Sequence, residues 1–353
     1  CTHFLSTQQY DAMYPNEKDT ELGHLYFIPK PQKTGTPLRP IVAAIYAPAI
    51  LVSKFLDDKL RSIFNQVARQ TIYINSMDLV KQLETYQNSG HLLQTTKFIT
   101  ADVKNLYTMI PKGGALDALY RFCIKHGKNR HIGNLHANTI IRLACLVLET
   151  NCFVFDNKYY KKIRGGAMES PFTMTLANIY MYEWEQSLIQ YEHQRNELYG
   201  RYIDDIFMTS NEPDENIKVL LDRENDKDPN IRITYTIHES VKFLDVQVAN
   251  VQGQLKTSVF RTPAAEPYIL PYTSDHPRHI HSNTIQTALL RAIRLCSDIE
   301  IFDQERLNIE IALLLNGYPL NFIKCHLKQF FKTHNAIPIY QDLHGETYKK
   351  LHL

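Results

Sequence analysis

The sequence predicts an α+β fold in which antiparallel hairpins build sheets and helices back them. Three observations carry this. Short runs of alternating apolar and polar residues come in neighbouring pairs bounded by turn residues. Segments of helical period separate those pairs. Beyond about residue 274 the pattern becomes helical.

The elements follow in order. Residues 1–23 are polar and turn-rich. Leu25–Ile28 and Arg39–Val42 read as two strands around a Pro-Gln-Lys-Thr-Gly-Thr-Pro turn. Tyr46 to Val67 and Met77 to Tyr86 read as helices, and Phe98–Asp102 as a strand. Gly114 to Lys125 has helical period and stops at Gly127. Ile140 to Leu148 is a further helix. Cys152–Phe155 and Lys158–Ile163 flank Asp156-Asn157 as a hairpin. An amphipathic run from Phe172 to Leu188 opens with Ser170 as N-cap and Pro171 at the first helical position. Ile217–Leu221 reads as helical, and Ile231–Ile237 and Phe243–Val248 alternate as strands. No internal repeat or low-complexity tract interrupts the pattern.

Composition narrows the class. At 353 residues the chain exceeds one compact core and predicts two or three lobes. Apolar content of 44% with 22% charged residues fits a folded chain. A net charge of +2 excludes a globally basic nucleic-acid binder, so any phosphate-binding surface is local. One local patch holds Lys30, Lys33, Arg39, Lys54, Lys59 and Arg61 against Asp57 and Asp58. A solvated face is the common alternative for such a run. The six cysteines are scattered without a Cys-x-x-Cys pair and read as free thiols of a reducing compartment. His276, His279 and His281 lack the partners that would complete a zinc site. No apolar run reaches the ~18 residues of a membrane span, and no signal peptide is visible. The start at Cys1 reads as a region of a longer protein.

Tyr202-Ile203-Asp204-Asp205 lies inside the apolar run Tyr199–Thr209. Neighbours in a strand point to opposite faces, so one of the two acids would enter the core. Burying an unpaired carboxylate is expensive. The cost disappears if the pair sits at a hairpin tip and a divalent cation supplies the counter-charge. A solvated turn is the alternative, since Asp is a common turn residue. A third acid, Asp102, ends the apolar run Lys97–Val103. Acids at strand ends commonly carry function, although an Asx-turn or helix cap would also explain one. Between the two acid sites lies Arg164-Gly-Gly-Ala-Met-Glu-Ser-Pro171, with glycines just before a helix start. Such glycines let a ligand approach the backbone, while a plain loop-to-helix junction is the simpler reading.

In this order the motifs resemble those of reverse transcriptases, and more finely of Penelope-like element reverse transcriptases, relatives of telomerase. Five stretches carry the resemblance: Ile28–Val42, Asp102–Pro111, Ala167–Pro171 with Leu176–Met181, Tyr202–Asp205, and Lys242–Val246. Ser274–His279 and Leu290–Asp298 resemble the downstream part of the family. The resemblance spans residues 24–330 or so. It implies a right-hand polymerase with an antiparallel-sheet palm, fingers and a helical thumb. The implied boundaries are an N-terminal extension 1–23, fingers and palm 24–260, and a thumb-like region 261–353.

The implied activity is RNA-directed DNA polymerisation by two-metal nucleotidyl transfer of dNTPs onto a primer 3′-hydroxyl. Asp102, Asp204 and Asp205 would be catalytic. Asp102, the Val103 carbonyl and Asp204 would ligate two Mg²⁺ ions, with Mn²⁺ as a substitute. Lys30, Arg39, Tyr107 and Gly166 would meet the dNTP. Tyr107 would exclude the 2′-hydroxyl, with a core aromatic as the alternative. Tyr202, Ser170, Pro171, Arg291 and Arg294 would meet primer and template. Lys242 is a candidate general acid toward pyrophosphate, with a solvated strand-end lysine equally open; Asp245 reads as structural. The implied partners are an RNA template, a DNA primer and dNTPs, with no membrane and an intracellular, nuclear location; oligomeric state is left open. Glu169 stands where the family usually has Gly, and a carboxylate there would oppose triphosphate binding. No GIY-YIG endonuclease segment is present. Two other readings stand beside this one: a catalytically silent RNA-binding scaffold, and an RNA-templated RNA polymerase or terminal transferase on the same palm.

Overall fold

The computed structural model describes residues 5–30, 35–104, 106–167, 170–261 and 269–352. Helix α1 (Thr7–Met13) begins at a capping box, in which Ser6 Oγ accepts from the Gln9 N–H at 3.2 Å and the Gln9 side chain accepts from the Ser6 N–H at 2.9 Å. A short 3₁₀ turn follows at Glu17–Asp19. The polar stretch expected to hold only turns therefore contains a helix, and Ser6-x-x-Gln9 was its signal. Strands β1 (Gly23–Pro29) and β2 (Leu38–Ala43) pair antiparallel, with Ile28 opposite Arg39. Helix α2 (Ile50–Val67) starts later than Tyr46. Pro48 pushes the residue before it out of helical geometry.

Next come α3 (Ser76–Asn88), β3 (Lys97–Val103), the single turn α4 (Leu106–Met109) and α5 (Lys112–His126). The short strands β4 (His131–Ile132) and β5 (Leu135–His136) lead into α6 (Ala137–Glu149). Strands β6 (Cys152–Phe155) and β7 (Lys158–Lys161) form the expected hairpin. The run expected as one helix from Phe172 to Leu188 is two, α7 (Pro171–Trp184) and α8 (Gln186–His193), broken at the buried Glu185. Then follow β8 (Tyr199–Tyr202), β9 (Asp205–Ser210), α9 (Asp214–Lys227) and β10 (Ile233–His238). Phe243–Val248, expected as one strand, is split between β11 (Ser240–Phe243) and β12 (Val246–Val251) by a turn at Leu244-Asp245. The alternation continued through the turn, which hid it. Strand β13 (Gln254–Val259) completes that sheet.

The rest is helical, as expected: α10 (Arg278–Leu295), α11 (Ile299–Leu315), α12 (Leu320–Thr333), α13 (Ile337–Asp342) and α14 (Gly345–His352). The turn between α11 and α12 carries Gly317 at φ +81°.

One four-stranded sheet, in the order β10-β3-β9-β8, is antiparallel throughout and forms the palm. Ile99, Ala101, Val103, Ile206 and Met208 on one face join the core with α2, α5, α6 and α7. Phe98 and Phe207 on the other face pack with Tyr73, Phe243, Val246 and Val248. A sheet buried on both faces explains the almost unbroken apolar run of β9. A second four-stranded sheet, the one expected as fingers, has the order β2-β1-β6-β7, with β1 and β6 parallel. The helices from α10 onward close around a core of their own, and α10 bears on α3 and β13.

Candidate active site

Strand β3 brings Asp102 directly opposite Asp205 of β9. Tyr202 pairs with Asp205, so Ile203 and Asp204 form a two-residue turn between β8 and β9. Ile203 has φ 57°, at a position where such turns normally place Gly. The Asp204 carbonyl accepts the Val103 N–H at 2.9 Å, tying the turn to the end of β3. Asp102, Asp204 and Asp205, from two separate segments, thus lie at one end of the sheet.

Their electrostatics are coupled. Burial pushes the Asp204 carboxyl above the ordinary carboxylate range, and the charge of Asp102 adds to the shift. Arg39 and Arg201 act against it. Arg39, exposed on β2, is therefore near enough to the turn for its charge to be felt there. Lys30 follows β1, with its N–H donated to the Pro37 carbonyl at 2.9 Å. The wider basic patch does not stay whole. Arg61 is ion-paired with the buried Asp57, and Lys33 lies outside the described residues.

An open cavity of about 260 Å³ is lined by Asp102, Asp205, Thr100, Tyr235 and Lys242. Lys242 also sits over the Phe260 ring at 4.4 Å. A larger cleft of about 700 Å³ lies between the palm and α10, lined by Tyr202, Leu244, Asp245, Arg291 and Arg294 among others. Three of the residues expected to meet primer and template are thus brought to one cleft. Arg291 is paired with Asp245 at 2.7 Å, which ties the turn after β11 to α10.

Tyr107 on α4 packs partly against the main core. Its phenol is pushed up to about 12 by burial, with the charge of Asp204 adding to it. Tyr107 is thus partly packed in the core and close enough to Asp204 to feel its charge.

Two expected contacts read differently. Ser170 is 7% exposed and its Oγ lies 2.7 Å from Ser53 Oγ, while Ser53 Oγ takes the N–H of Phe172 at 3.0 Å. The helix start is thus satisfied from α2, and the Ser170 hydroxyl makes no capping bond to α7. Pro171 keeps its place at the first helical position. Gly166 is buried, and a Cβ there would stand 2.3 Å from Thr173 Oγ1. Packing against Thr173 of α7 by itself leaves no room for a side chain here. Gly165 has φ +63°, and a Cβ would meet the Tyr107 carbonyl at 2.0 Å. Met168 and Glu169 lie outside the described residues. The histidine cluster is dispersed in role: His276 meets Ser274 at 2.6 Å, and buried His281 meets Tyr318 at 3.1 Å.

Sequence reasoning missed what holds the turn from below. Arg201 and Glu185 are both 0% exposed and paired at 2.7 Å. Arg201 Nη1 donates to Asn178 Oδ1 at 2.8 Å and to the Ile203 carbonyl at 2.7 Å. Tyr199 donates to Glu185 at 2.9 Å. The signal was available: an Arg inside an apolar strand requires a buried acid.

Among the described residues, no group of three or more His, Cys, Asp or Glu side chains is disposed to hold a metal ion. The aspartates therefore form no closed cage. Mg²⁺ in phosphoryl transfer is ordinarily held by one or two carboxylates, with waters and substrate phosphates filling the remaining positions. Hard oxygen donors with mutually repelling charge suit Mg²⁺ or Mn²⁺ and not a thiophilic ion.

No curated protein sequence matches the chain. A model described as an animal helix-turn-helix domain matches residues 268–328, the region of α10 to α12. Among solved structures, the chain is similar to the telomerase of Candida albicans solved with a fragment of telomeric RNA, at TM-score 0.65 and 12% identity, covering 99% of this chain and 62% of that one. It is also similar to the RNA-dependent RNA polymerase of a human picobirnavirus, at TM-score 0.55 and 9% identity, covering 93% and 61%. A sicinivirus RNA-dependent RNA polymerase gives TM-score 0.54 at 12% identity, covering 93% and 71%. The chain spans about three fifths of the length of the first two. At these identities the likeness is one of fold: the chain has the palm, fingers and thumb architecture of right-hand nucleic-acid polymerases.

Proposed function

We propose that this chain is an RNA-directed DNA polymerase of Penelope-like lineage, extending a DNA primer on an RNA template with dNTPs. One observation carries the reading. Asp102 faces Asp205 across two strands, and Asp204 stands beside them on a tightened turn with its carboxyl raised by burial and by Asp102.

Asp102 and Asp204, with the Val103 carbonyl and Asp205 beside them, would hold Mg²⁺ or Mn²⁺. When bound, these ions supply Lewis-acid activation of the primer hydroxyl and charge neutralisation on the triphosphate. The protein's own residues do the rest. Arg39 on β2 and Lys30 just past the end of β1 present cations to the triphosphate; Arg offers the two-pronged phosphate contact. Lys242 on the rim of the acidic cavity supplies a proton-bearing ammonium for the leaving pyrophosphate. Tyr107, held by core packing beside Asp204, fills the space a ribose 2′-hydroxyl would need. Tyr202, Arg291 and Arg294 line the cleft that suits the primer–template duplex.

The fold is equally that of RNA-templated RNA polymerases, and Tyr107 is the residue that favours deoxynucleotides. Primer extension on poly(rA)/oligo(dT), with dNTP and rNTP arms and Mg²⁺ or Mn²⁺, tests the reading. Extension with dNTPs is expected. Preference for rNTPs would move the chain to the RNA polymerase reading, and no extension in any arm would move it to the silent scaffold.

A further inference from the structure

Among the described residues, the most deeply buried charges are a pair that the chemistry above does not use. Arg201 has no access to solvent, and neither has Glu185. Two charges taken out of water are a poor source of stability, because desolvation offsets most of their attraction. The arrangement answers a different need. Glu185 takes Nε at 2.7 Å and Nη2 at 3.3 Å. That grip orients the guanidinium so that Nη1 reaches both Asn178 and the carbonyl of Ile203.

Ile203 is the residue that most needs an anchor. It is β-branched, and it occupies φ 57°, where such residues are outliers. Strained backbone of this kind persists only where its surroundings over-determine it. The strain is placed next to Asp204, whose carbonyl closes on the Val103 N–H. Strand β8 is itself fixed on its outer side, since the Arg201 N–H donates to Thr71 and the Arg201 carbonyl accepts from Tyr73, each at 2.9 Å.

We infer that Arg201, held by Glu185 and Asn178, is the positioning residue of the catalytic turn, its guanidinium fixing the Ile203 carbonyl and hence the strained backbone that presents Asp204 beside Asp102. The inference rests on the polymerase reading for its consequence in catalysis, but not for its structural content. A lysine could keep the charge without spanning Glu185 and Ile203 together, because its ammonium lacks the planar fork.

The test is amide hydrogen exchange on the protein alone, joined to primer extension. The double variant Arg201→Met/Glu185→Met removes the pair without leaving a lone buried charge. Arg201→Lys and Asn178→Leu are milder variants that retain the buried acid's partner. Two amides are compared: Val103, bonded to the Asp204 carbonyl, and Phe260, bonded at 2.9 Å to the Asp245 carbonyl of a second turn. The double variant is expected to speed exchange at Val103 by about tenfold or more, a local opening, while Phe260 is unchanged. It should lower kcat by about a hundredfold with KM for primer–template unchanged, the scale of a misplaced reacting group. Arg201→Lys should fall between. Unchanged exchange at Val103 overturns the inference, as does acceleration of both amides together, which marks a purely global role. Should the double variant fail to fold, the same comparison in Arg201→Lys and Asn178→Leu decides. A wild-type protein that extends no primer sinks the polymerase reading only, because the exchange comparison does not depend on it.

Discussion

Two hairpin turns in this molecule are built alike and do different things. Ile203-Asp204 joins β8 to β9, and Leu244-Asp245 joins β11 to β12. Each places an aliphatic residue at positive φ, 57° and 53°, followed by Asp. Each Asp carbonyl accepts an N–H from neighbouring chain at 2.9 Å, from Val103 and from Phe260. The difference lies in where the nearest arginine goes. At the first turn Arg201 grips the backbone carbonyl, and the Asp204 carboxylate is left beside Asp102. At the second, Arg291 of the thumb takes the Asp245 carboxylate itself. The local pattern shapes both turns, and the placement of one cation decides whether the carboxylate stands beside a second acid or is ion-paired with α10.

The largest effect should come from exchanging the acids for amides. Asp204→Asn removes a ligand charge and is expected to lower kcat for extension by at least about a hundredfold, the scale of losing a preorganised charge in a water-poor site. Asp245→Asn should leave kcat within about twofold, because only an ion pair between half-exposed partners is lost. Steady-state extension assays on both variants check this. Equal losses would erase the distinction between the turns, and more than about a tenth of wild-type kcat in Asp204→Asn would remove that residue from the metal set.

Next is the aromatic beside the first turn. The phenol of Tyr107 senses Asp204, and its ring is anchored in the core. Tyr107→Ala should raise the ratio of kcat/KM for rNTP over dNTP by about tenfold, in the range expected when one steric contact is deleted. An unchanged ratio would leave Tyr107 as core packing alone.

Much of this was legible in the sequence, and the gaps have physical causes. The hairpins and the order of the three acids follow from period-two alternation and from carboxylates where a strand should be apolar. The turn at Leu244-Asp245 was hidden because apolar residues sit on both sides of it, so the alternation never breaks. The split between α7 and α8 was hidden because its cause, Glu185, is burial against Arg201, a long-range contact. Ser170 was read as a cap from its neighbours, whereas the hydroxyl that takes up the helix start belongs to Ser53, far away in sequence. The crowding of Gly166 by Thr173 was likewise out of sight, since the two meet only once α7 is packed. Local chemistry shows which residues are unusual; only packing shows what each one faces.

A smaller effect should come from releasing Arg291. With Asp245→Asn, Arg291 loses its competitor and becomes free for phosphate, in a cleft also lined by Arg294 and Tyr202. KM for primer–template is then expected to fall by up to about fivefold at low salt, the worth of one partly exposed ion pair. The gain should fade as salt rises. An unchanged KM would mean that Arg291 does not meet the duplex.

The smallest effect concerns another tie, between the C-terminal helices and α3. His352 on α14 faces Glu84 of α3 through Nε2 at 2.6 Å and the Ile293 carbonyl of α10 through Nδ1 at 2.5 Å. Two acceptors on the two ring nitrogens require the doubly protonated ring. Burial works against that charge, but the bonds to Glu84 and Ile293 outweigh it, and Arg294 opposes them weakly, so the imidazole is held above its ordinary value. Tyr348 stacks on the ring at 5.9 Å. The sign follows from the raised value. The stabilisation is fully present below about pH 6.5, the unfolded value, and is lost as pH rises through the higher folded value. Wild type should therefore melt above His352→Gln at pH 6, and the gap should close by about pH 9, by a few degrees at most for a chain of this size. A gap for His352→Gln that is flat from pH 6 to pH 9 would show that the ring is neutral and that Glu84 holds α14 without its charge.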